Sequence, residues 1–359
     1  MKKMLVFLSA IVLAGMMLLC LCYPKQEISE TERRKLSQFP ELTWKSVSSG
    51  KFMESFEEYA ADQFPFREIF RTVKSGIVSW VFGQSDNNDL YMTNGHLVKM
   101  EYPLNEDSVQ RAASIFQNIY ESQLKEKNCN VYYSIIPDKN YFLGEDHLRL
   151  DYGRLDAIMQ ENLKEMTYID IKDSLEAEDY YKTDVHWRQE CLLEVAEKLA
   201  SSMETEIGDE YQVNTLSDPF YGVYYGQAAY PVEPDTLHYL TSERLEGCVV
   251  YDFEHDKEVE IYDMEKAAGL DPYEIFLSGS ISLLEIRNPN ASSEKHLVIF
   301  RDSFGSAIAP LLTDGYAKIT LVDIRYLPSA RVGNYVDFQD ADVLFLYSTT
   351  VLNESKTLK

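Results

Sequence analysis

The sequence predicts an α/β fold: a mainly parallel sheet flanked by helices, with an antiparallel β insertion and an N-terminal membrane anchor helix. Three observations carry that prediction. Short apolar runs at 131–136, 296–300, 318–322 and 342–347 have the length of buried strands. Segments of helical apolar period separate them, and strands alternating with helices require a parallel sheet covered on both faces. The 359 residues, 45% of them hydrophobic, are ample for such a core.

The elements follow in chain order. Lys2 and Lys3 precede residues 4–22, nineteen residues without a charge. At about 1.5 Å per residue this helix spans about 28 Å, close to a hydrocarbon core. Leu18, Leu19, Leu21 and Tyr23 occupy the positions where a cleavage site would want small residues, so an uncleaved anchor over 1–24 is expected; secretion after cleavage is the alternative. Cys20 and Cys22 each follow a Leu, where a lipid-attachment site prefers a small residue. Lysines before the span and an acidic chain after it put the remainder outside the cytoplasm.

A polar juxtamembrane linker is expected over 25–47, and an extracytoplasmic α/β domain over 48–359. Phe52, Phe56, Tyr59 and Ala60 give one helix face and Pro65 ends it; Phe66, Ile69, Phe70, Val73, Ile77 and Trp80 give the next. Asn94-Gly95 between 90–93 and 96–99 signals a hairpin, because both residues tolerate the positive φ of a type I′ turn. Val109, Ala112, Ala113, Phe116, Tyr120 and Leu124 mark a helix, and Leu155, Ile158, Met159, Leu163 and Met166 another, followed by a short strand at 168–171. Leu192, Val195, Ala196 and Leu199 mark a third, and 306–312 an apolar one. Within 203–295, alternation at 248–253 and 258–263 around His255-Asp256-Lys257 predicts an antiparallel insertion.

Composition excludes several functions. With 59 Asp+Glu against 34 Lys+Arg the formal net charge is −25, the pI is near 4.6, and no basic block offers nucleic acid a surface. Of five cysteines only Cys129, Cys191 and Cys248 lie beyond the anchor, which is no disulfide framework, and no paired Cys/His spacing marks a metal site.

Chemistry concentrates in three segments: Pro137-Asp138-Lys139-Asn140-Tyr141, Tyr181-Lys182-Thr183-Asp184-Val185-His186-Trp187 and Arg301-Asp302-Ser303-Phe304-Gly305-Ser306. A serine between a buried strand and a helix sits where free N–H groups favour negative charge; the alternative is that Asp302 or Ser303 merely caps the helix. Asp184 and His186, two apart in an extended segment, point the same way. Such a pair can activate a serine, the imidazole as base and the carboxylate fixing its tautomer. His96, His147, His238, His255 and His296 lack a comparable setting.

These motifs resemble the DHHW family of bacterial extracytoplasmic proteins, related to the SGNH-hydrolase-like domains of the alginate O-acetyltransferases AlgJ and AlgX. The resemblance rests on Glu32-Arg33-Arg34-Lys35-Leu36 with Phe39-Pro40-Glu41-Leu42, on Asp62-Gln63-Phe64-Pro65-Phe66-Arg67 and on Lys182-Thr183-Asp184-Val185-His186-Trp187. Arg301-Asp302-Ser303-Phe304-Gly305-Ser306, Asp323-Ile324-Arg325-Tyr326 and 342–347 extend it over most of the chain. Val185 stands where the family name expects His, and Arg301 where hydrolases of the class often have Gly.

The resemblance implies that Ser303 is the nucleophile, His186 the base and then acid, and Asp184 its orienter. The Ser303 N–H is one oxyanion donor; Phe220-Tyr221-Gly222 looks like a further family segment, with the Gly222 N–H as a second. Lys139, Tyr141, Trp187 and Arg325 are candidates to line the substrate cleft. The implied reaction carries acetyl groups through an acetyl-serine to an exopolysaccharide or wall glycan, without cofactor or metal. A multi-spanning membrane-bound O-acyltransferase would deliver the acetyl. An SGNH-type acetylesterase and a non-catalytic, tethered glycan-binding scaffold are the rival readings.

Overall fold

The computed structural model describes residues 2–359 apart from Ser85, Glu145 and Asp209. The side chains of Lys2, Lys3, Leu5 and Trp80 lie outside the described residues, so the parts given to Lys2, Lys3 and Trp80 rest on sequence alone. The chain divides into two compact units, Met1–Asn88 with Tyr225–Pro231, and Asp89–Tyr224 with Val232–Lys359. The boundary expected at 47/48 falls inside the first.

In the first unit a helix runs Lys2–Cys22, with Val6, Phe7, Leu8, Ile11, Val12, Leu13, Met17, Leu18 and Leu21 exposed along it. Among the described residues no helix is long and apolar enough to cross a membrane; the continuous stretch of this helix with every residue described is 6–22. The segment expected as a linker carries structure. Ile28–Ser29 pairs with Arg34–Lys35, and a helix Trp44–Ser48 is capped by Thr43. Helices Lys51–Asp62 and Arg67–Trp80 follow the two apolar periods. The two opening motifs meet here: Arg34 and Arg67 reach Asp62 and Glu32 at 2.6 Å, and Gln63 Nε2 donates to the Gln26 carbonyl at 2.8 Å.

The second unit is built on one eight-stranded sheet. In chain order its strands are β1 (Asn130–Ile136), β2 (Thr167–Tyr168), β3 (Val249–Asp252), β4 (Lys257–Val259), β5 (Leu283–Arg287), β6 (His296–Arg301), β7 (Lys318–Val322) and β8 (Ala341–Ser348). Across the sheet they run β4-β3-β5-β7-β6-β8-β1-β2. From β7 to β2 every pairing is parallel, whereas β5, β3 and β4 add antiparallel strands at one edge. The expected hairpin is thus an extension of the central sheet. Within the same region Gln212–Phe220 and Asp235–Thr241 form a separate two-stranded sheet.

Alternation assigns the strand side chains to two cores, as a pleat of period two demands. Leu297, Ile299, Ile319, Leu321, Leu344 and Leu346 pack with Val195, Ala196, Leu199 and Ile308. Val298, Phe300, Val343, Phe345, Val131 and Tyr133 pack with Val109, Phe116, Leu155 and Ile158. Helices Glu106–Ile119 and Tyr152–Asn162 therefore cover one face, and Leu193–Ser202 and Gly305–Leu312 the other. The hairpin Leu90–Thr93 with His96–Lys99 turns through Asn94 and Gly95 at φ 47° and 80°. In the register of the parallel strands Arg301 lies beside Leu346 and Ile136 beside Ser348. The turns after β6, β8 and β1 consequently gather at one edge, the usual place for a site in an open α/β sheet.

Candidate active site

Ser303 occupies the turn between β6 and helix Gly305–Leu312. Asp302, 1% exposed, organises that turn. One of its carboxylate oxygens accepts from the Phe304 N–H at 3.0 Å and the other from the Ser348 N–H at 2.8 Å. The turn is thereby tied to the end of β8, and Asp302 takes the local backbone role that a serine would otherwise compete for. A Cβ on Gly305 would lie 2.6 Å from the Arg301 Cβ, so this helix can begin against Arg301 only with glycine there. The Ser303 hydroxyl faces His186, with Oγ 2.8 Å from Nε2.

The opposing loop is a narrow one. Tyr180 bridges Trp187, and the Tyr181 and Arg188 N–H groups donate to the His186 and Asp179 carbonyls at 3.1 and 2.7 Å. Asp184 and His186 stand near its tip. Asp184 Oδ1 lies 2.7 Å from His186 Nδ1 and also accepts the His186 N–H at 3.1 Å. The i, i+2 contact expected of an extended segment is thus made across an Asx turn, in which the carboxylate folds back onto the backbone. Oδ2 accepts the Val223 N–H at 2.7 Å. Asp184 is 1% exposed, so these donors replace the water that its charge has lost.

Packing fixes the imidazole as well. The Tyr273 ring stacks on it at 3.9 Å with an interplanar angle of 9°, and Phe304 lies 5.0 Å away. The Tyr273 hydroxyl is buried without a hydrogen-bond partner among the described residues. Burial, with the carboxylates of Asp184, Asp271 and Asp302 nearby, pushes its pKa well up, so it stays a neutral phenol. Sequence reasoning missed Tyr273, Thr183, whose Oγ1 accepts from the Gly222 N–H, and Asp235, whose carboxylate accepts from the N–H groups of Lys182 and Thr183. Thr183 lies inside the quoted motif, but nothing local to residues 235 or 273 signals a contact with a loop so far away in sequence.

Three further expectations are corrected. Trp187 is 0% exposed, and its Nε1–H donates to the Phe304 carbonyl at 3.1 Å; it joins the loops that carry His186 and Ser303 and is closed to a substrate. The Gly222 N–H is turned to Thr183 Oγ1 at 2.8 Å, because a buried donor takes the acceptor beside it, so a second oxyanion donor from Gly222 is not formed. Lys139, 3% exposed, donates from Nζ to the Tyr181 carbonyl at 2.9 Å and does not line an open cleft.

The remaining cleft candidates lie as follows. Tyr141 is half-buried, edge-on to Phe142 and Tyr152 at 5.0 and 4.9 Å. Arg325 is engaged by Asp323, its Nη2 2.7 Å and its Nε 2.9 Å from the carboxylate oxygens. Arg301, the departure from the hydrolase pattern, is fully buried. It reaches the carbonyls of Ile281 and Asp302 at 3.3 and 3.4 Å, with Asp323 at 3.8 Å. Its guanidinium braces the base of the Ser303 turn from beneath. Among the described residues no three His, Cys, Asp or Glu side chains gather as a metal site would need.

No protein-family model matches the chain, and no curated protein matches it. Solved structures do. A DHHW family protein from Eubacterium siraeum DSM 15702 is similar at TM-score 0.61 and 23% identity, over 74% of this chain and 93% of that one. Bacillus cereus PatB1 with a sulfonyl adduct is similar at TM-score 0.60 and 18% identity, over 73% and 95%. The O-acetyltransferase domain of Pseudomonas putida AlgJ aligns at TM-score 0.42 and 12% identity, over 69% and 84%. The structural neighbours thus include a protein of the DHHW family that the sequence resembles, and at these identities what the chain shares with it and with PatB1 is the fold.

Proposed function

We propose that this chain is an extracytoplasmic O-acetyltransferase, held at the membrane by its N-terminal helix, that acetylates a cell-surface or exopolysaccharide through an acetyl-Ser303 intermediate. One observation carries the reading: an unbroken relay from Ser303 Oγ to His186 Nε2 at 2.8 Å and from His186 Nδ1 to Asp184 Oδ1 at 2.7 Å. Side chains 117 residues apart in sequence meet with the roles that acyl transfer needs.

In the first half-reaction Ser303 Oγ attacks the acetyl carbonyl while His186 Nε2 takes the hydroxyl proton. That proton then goes to the oxygen of the departing donor as its bond to the acetyl breaks. In the second half a sugar hydroxyl gives its proton to His186 and attacks the acetyl-serine, and the proton returns to Ser303 Oγ. Asp184 stays ionised throughout and steadies the imidazolium. The Ser303 N–H is the oxyanion donor in this scheme.

Acetyl-CoA is cytoplasmic, so a multi-spanning membrane-bound O-acyltransferase supplies the acetyl in this proposal. The exposed apolar side chains along Lys2–Cys22 support the anchor. Sulfonyl electrophiles modify activated nucleophiles, and the similarly folded PatB1 was solved with such an adduct, which recommends the probe.

The test combines a sulfonyl fluoride with a chromogenic acetyl ester, each read with and without a glycan acceptor. Labelling of Ser303, ester turnover and acetylated glycan are expected. Acetate alone, with no acetylated glycan from any acceptor, would convert the reading to an esterase. Neither labelling nor turnover would leave a non-catalytic protein.

A further inference from the structure

We infer that Lys139 is a positioning residue for the Asp184–His186 pair: its buried ammonium grips the carbonyls of Tyr181 and Lys182, and with them the loop that presents Asp184. The inference rests on the reading of Ser303, His186 and Asp184 as the reacting set, and assigns the clamp that holds two of them in place.

A lysine charge taken out of water is costly unless acceptors surround it. Lys139, 3% exposed at the start of helix Lys139–Leu143, finds them in one place. Nζ lies 2.9 Å from the Tyr181 oxygen and 3.4 Å from that of Lys182, with the Tyr224 ring 5.0 Å beneath. The other polarity of the same backbone is held by Asp235, whose carboxylate accepts from the N–H groups of Lys182 and Thr183, both at 2.8 Å. A cation on the carbonyls and an anion on the amides therefore clamp residues 181–183 immediately before Asp184. A neutral side chain at 139 would leave the buried Tyr181 carbonyl without this donor and remove the cation beside Asp184.

The charged and titratable groups facing Lys139 come from five places. Asp138 adjoins it and caps its helix; Tyr181, Lys182 and Asp184 lie on the clamped loop; Asp235 opens its strand; Tyr224 lies beneath; and His96 approaches from the hairpin. Burial pulls Lys139 down to about 7, opposed by the carboxylates of Asp184, Asp235 and Asp138. The grip therefore weakens as pH rises through that value, and an arginine, charged throughout, would keep it.

The experiment uses the full chain in detergent and two readouts. One is the downfield proton resonance of the His186 Nδ1–H shared with Asp184; the other is acetyl transfer to a glycan. For Lys139→Met the resonance should weaken or move upfield and kcat should fall about 10- to 100-fold with KM little changed, as for a misplaced catalytic pair. Lys139→Arg should keep the resonance and lose the alkaline decline expected of the wild-type rate above about pH 7.

A folded Lys139→Met with unaltered resonance and kcat would overturn the inference. Should that variant not fold, Lys139→Arg decides: an alkaline decline identical to wild type would overturn it equally. Wild-type protein that shows the resonance but transfers no acetyl would instead remove the catalytic reading, and the resonance of the variants would still judge the clamp.

Discussion

Gly222 lies so close to Asp184 that a Cβ on residue 222 would stand 2.3 Å from the Asp184 Cβ and 2.5 Å from its Oδ2. The backbone passes flat against the carboxylate because the next N–H, that of Val223, donates to Oδ2 at 2.7 Å. Glycine at 222 thus serves the active site by having no side chain, where the sequence had pointed to its N–H. Gly222→Ala should push the Asp184 carboxylate away from His186. Acetyl transfer is expected to drop about 100-fold, the scale of a misplacement near 1 Å, and stability by about 1–3 kcal/mol from overpacking. Steady-state kinetics beside thermal denaturation checks both, and a wild-type kcat would mean that the loop recedes without disturbing the pair.

Asp184→Asn retains the shape and removes the charge. The imidazole then loses the partner that fixes Nδ1–H toward 184 and leaves Nε2 free to accept from Ser303. A fall in kcat of about 1,000- to 10,000-fold is expected, as in other triads deprived of their carboxylate. Ser303→Ala should abolish sulfonyl labelling altogether. Mass spectrometry of the labelled protein separates these outcomes, and a label that persists in Ser303→Ala would point to another nucleophile.

The parallel half of the fold was legible because its strands are short, apolar and spaced by helical periods that allow no other packing. β6, for instance, holds the unbroken apolar run Leu297–Phe300 between His296 and Arg301. Leu283–Arg287 was invisible for the opposite reason: its apolar residues fill the sheet while Glu285 and Arg287 pair with each other, at 2.6 Å, and blur the period. The meeting of Ser303, His186 and Asp184 was readable since a hydroxyl, an imidazole and a carboxylate are recognisable as types. Trp187 misled because an indole beside a candidate histidine suits an exposed binding surface and a structural strut equally well. Only the hydrogen bond to the Phe304 carbonyl distinguishes them. The clamp formed by Lys139 and Asp235 depends on backbone groups, which carry no signature in sequence.

Stacking of Tyr273 on His186 predicts a division between ring and hydroxyl. The ring limits rotation of the imidazole, so Tyr273→Leu should lower kcat by about 10-fold through a looser base. The hydroxyl is buried and unpaired among the described residues. Tyr273→Phe should therefore leave stability unchanged or raise it by up to about 1 kcal/mol, since removal of an unsatisfied polar group costs nothing. Denaturant titration of Tyr273→Phe against wild type is the check; a loss beyond 1 kcal/mol, roughly the worth of one hydrogen bond, would show that the phenol has a partner in solution.

Acid should destabilise the second unit through two histidines. Burial, with Lys139, Lys182 and Arg188 adding to it, pushes His96 down to about 4, and burial with Lys318 does the same to His296. Both are thus neutral in the folded chain at pH values where an unfolded histidine, titrating near 6.5, already carries a proton. Between those values the unfolded state binds more protons, so stability is complete above about 6.5 and is lost as pH falls toward 4. Asp138 acts oppositely: burial raises it to about 6, so the folded state binds the extra proton between about 4 and 6 and gains there. Burial raises the carboxylates of Asp156 and Asp179 as well, so all three soften the loss that the two histidines cause. The thermal midpoint should drop from pH 7 to pH 5, and His96→Leu should make that drop shallower, because the His96 Nδ1 has no partner to forfeit among the described residues. Melting curves across the series, followed by circular dichroism, decide it; an identical slope in His96→Leu would show that this imidazole does not govern the acid limb.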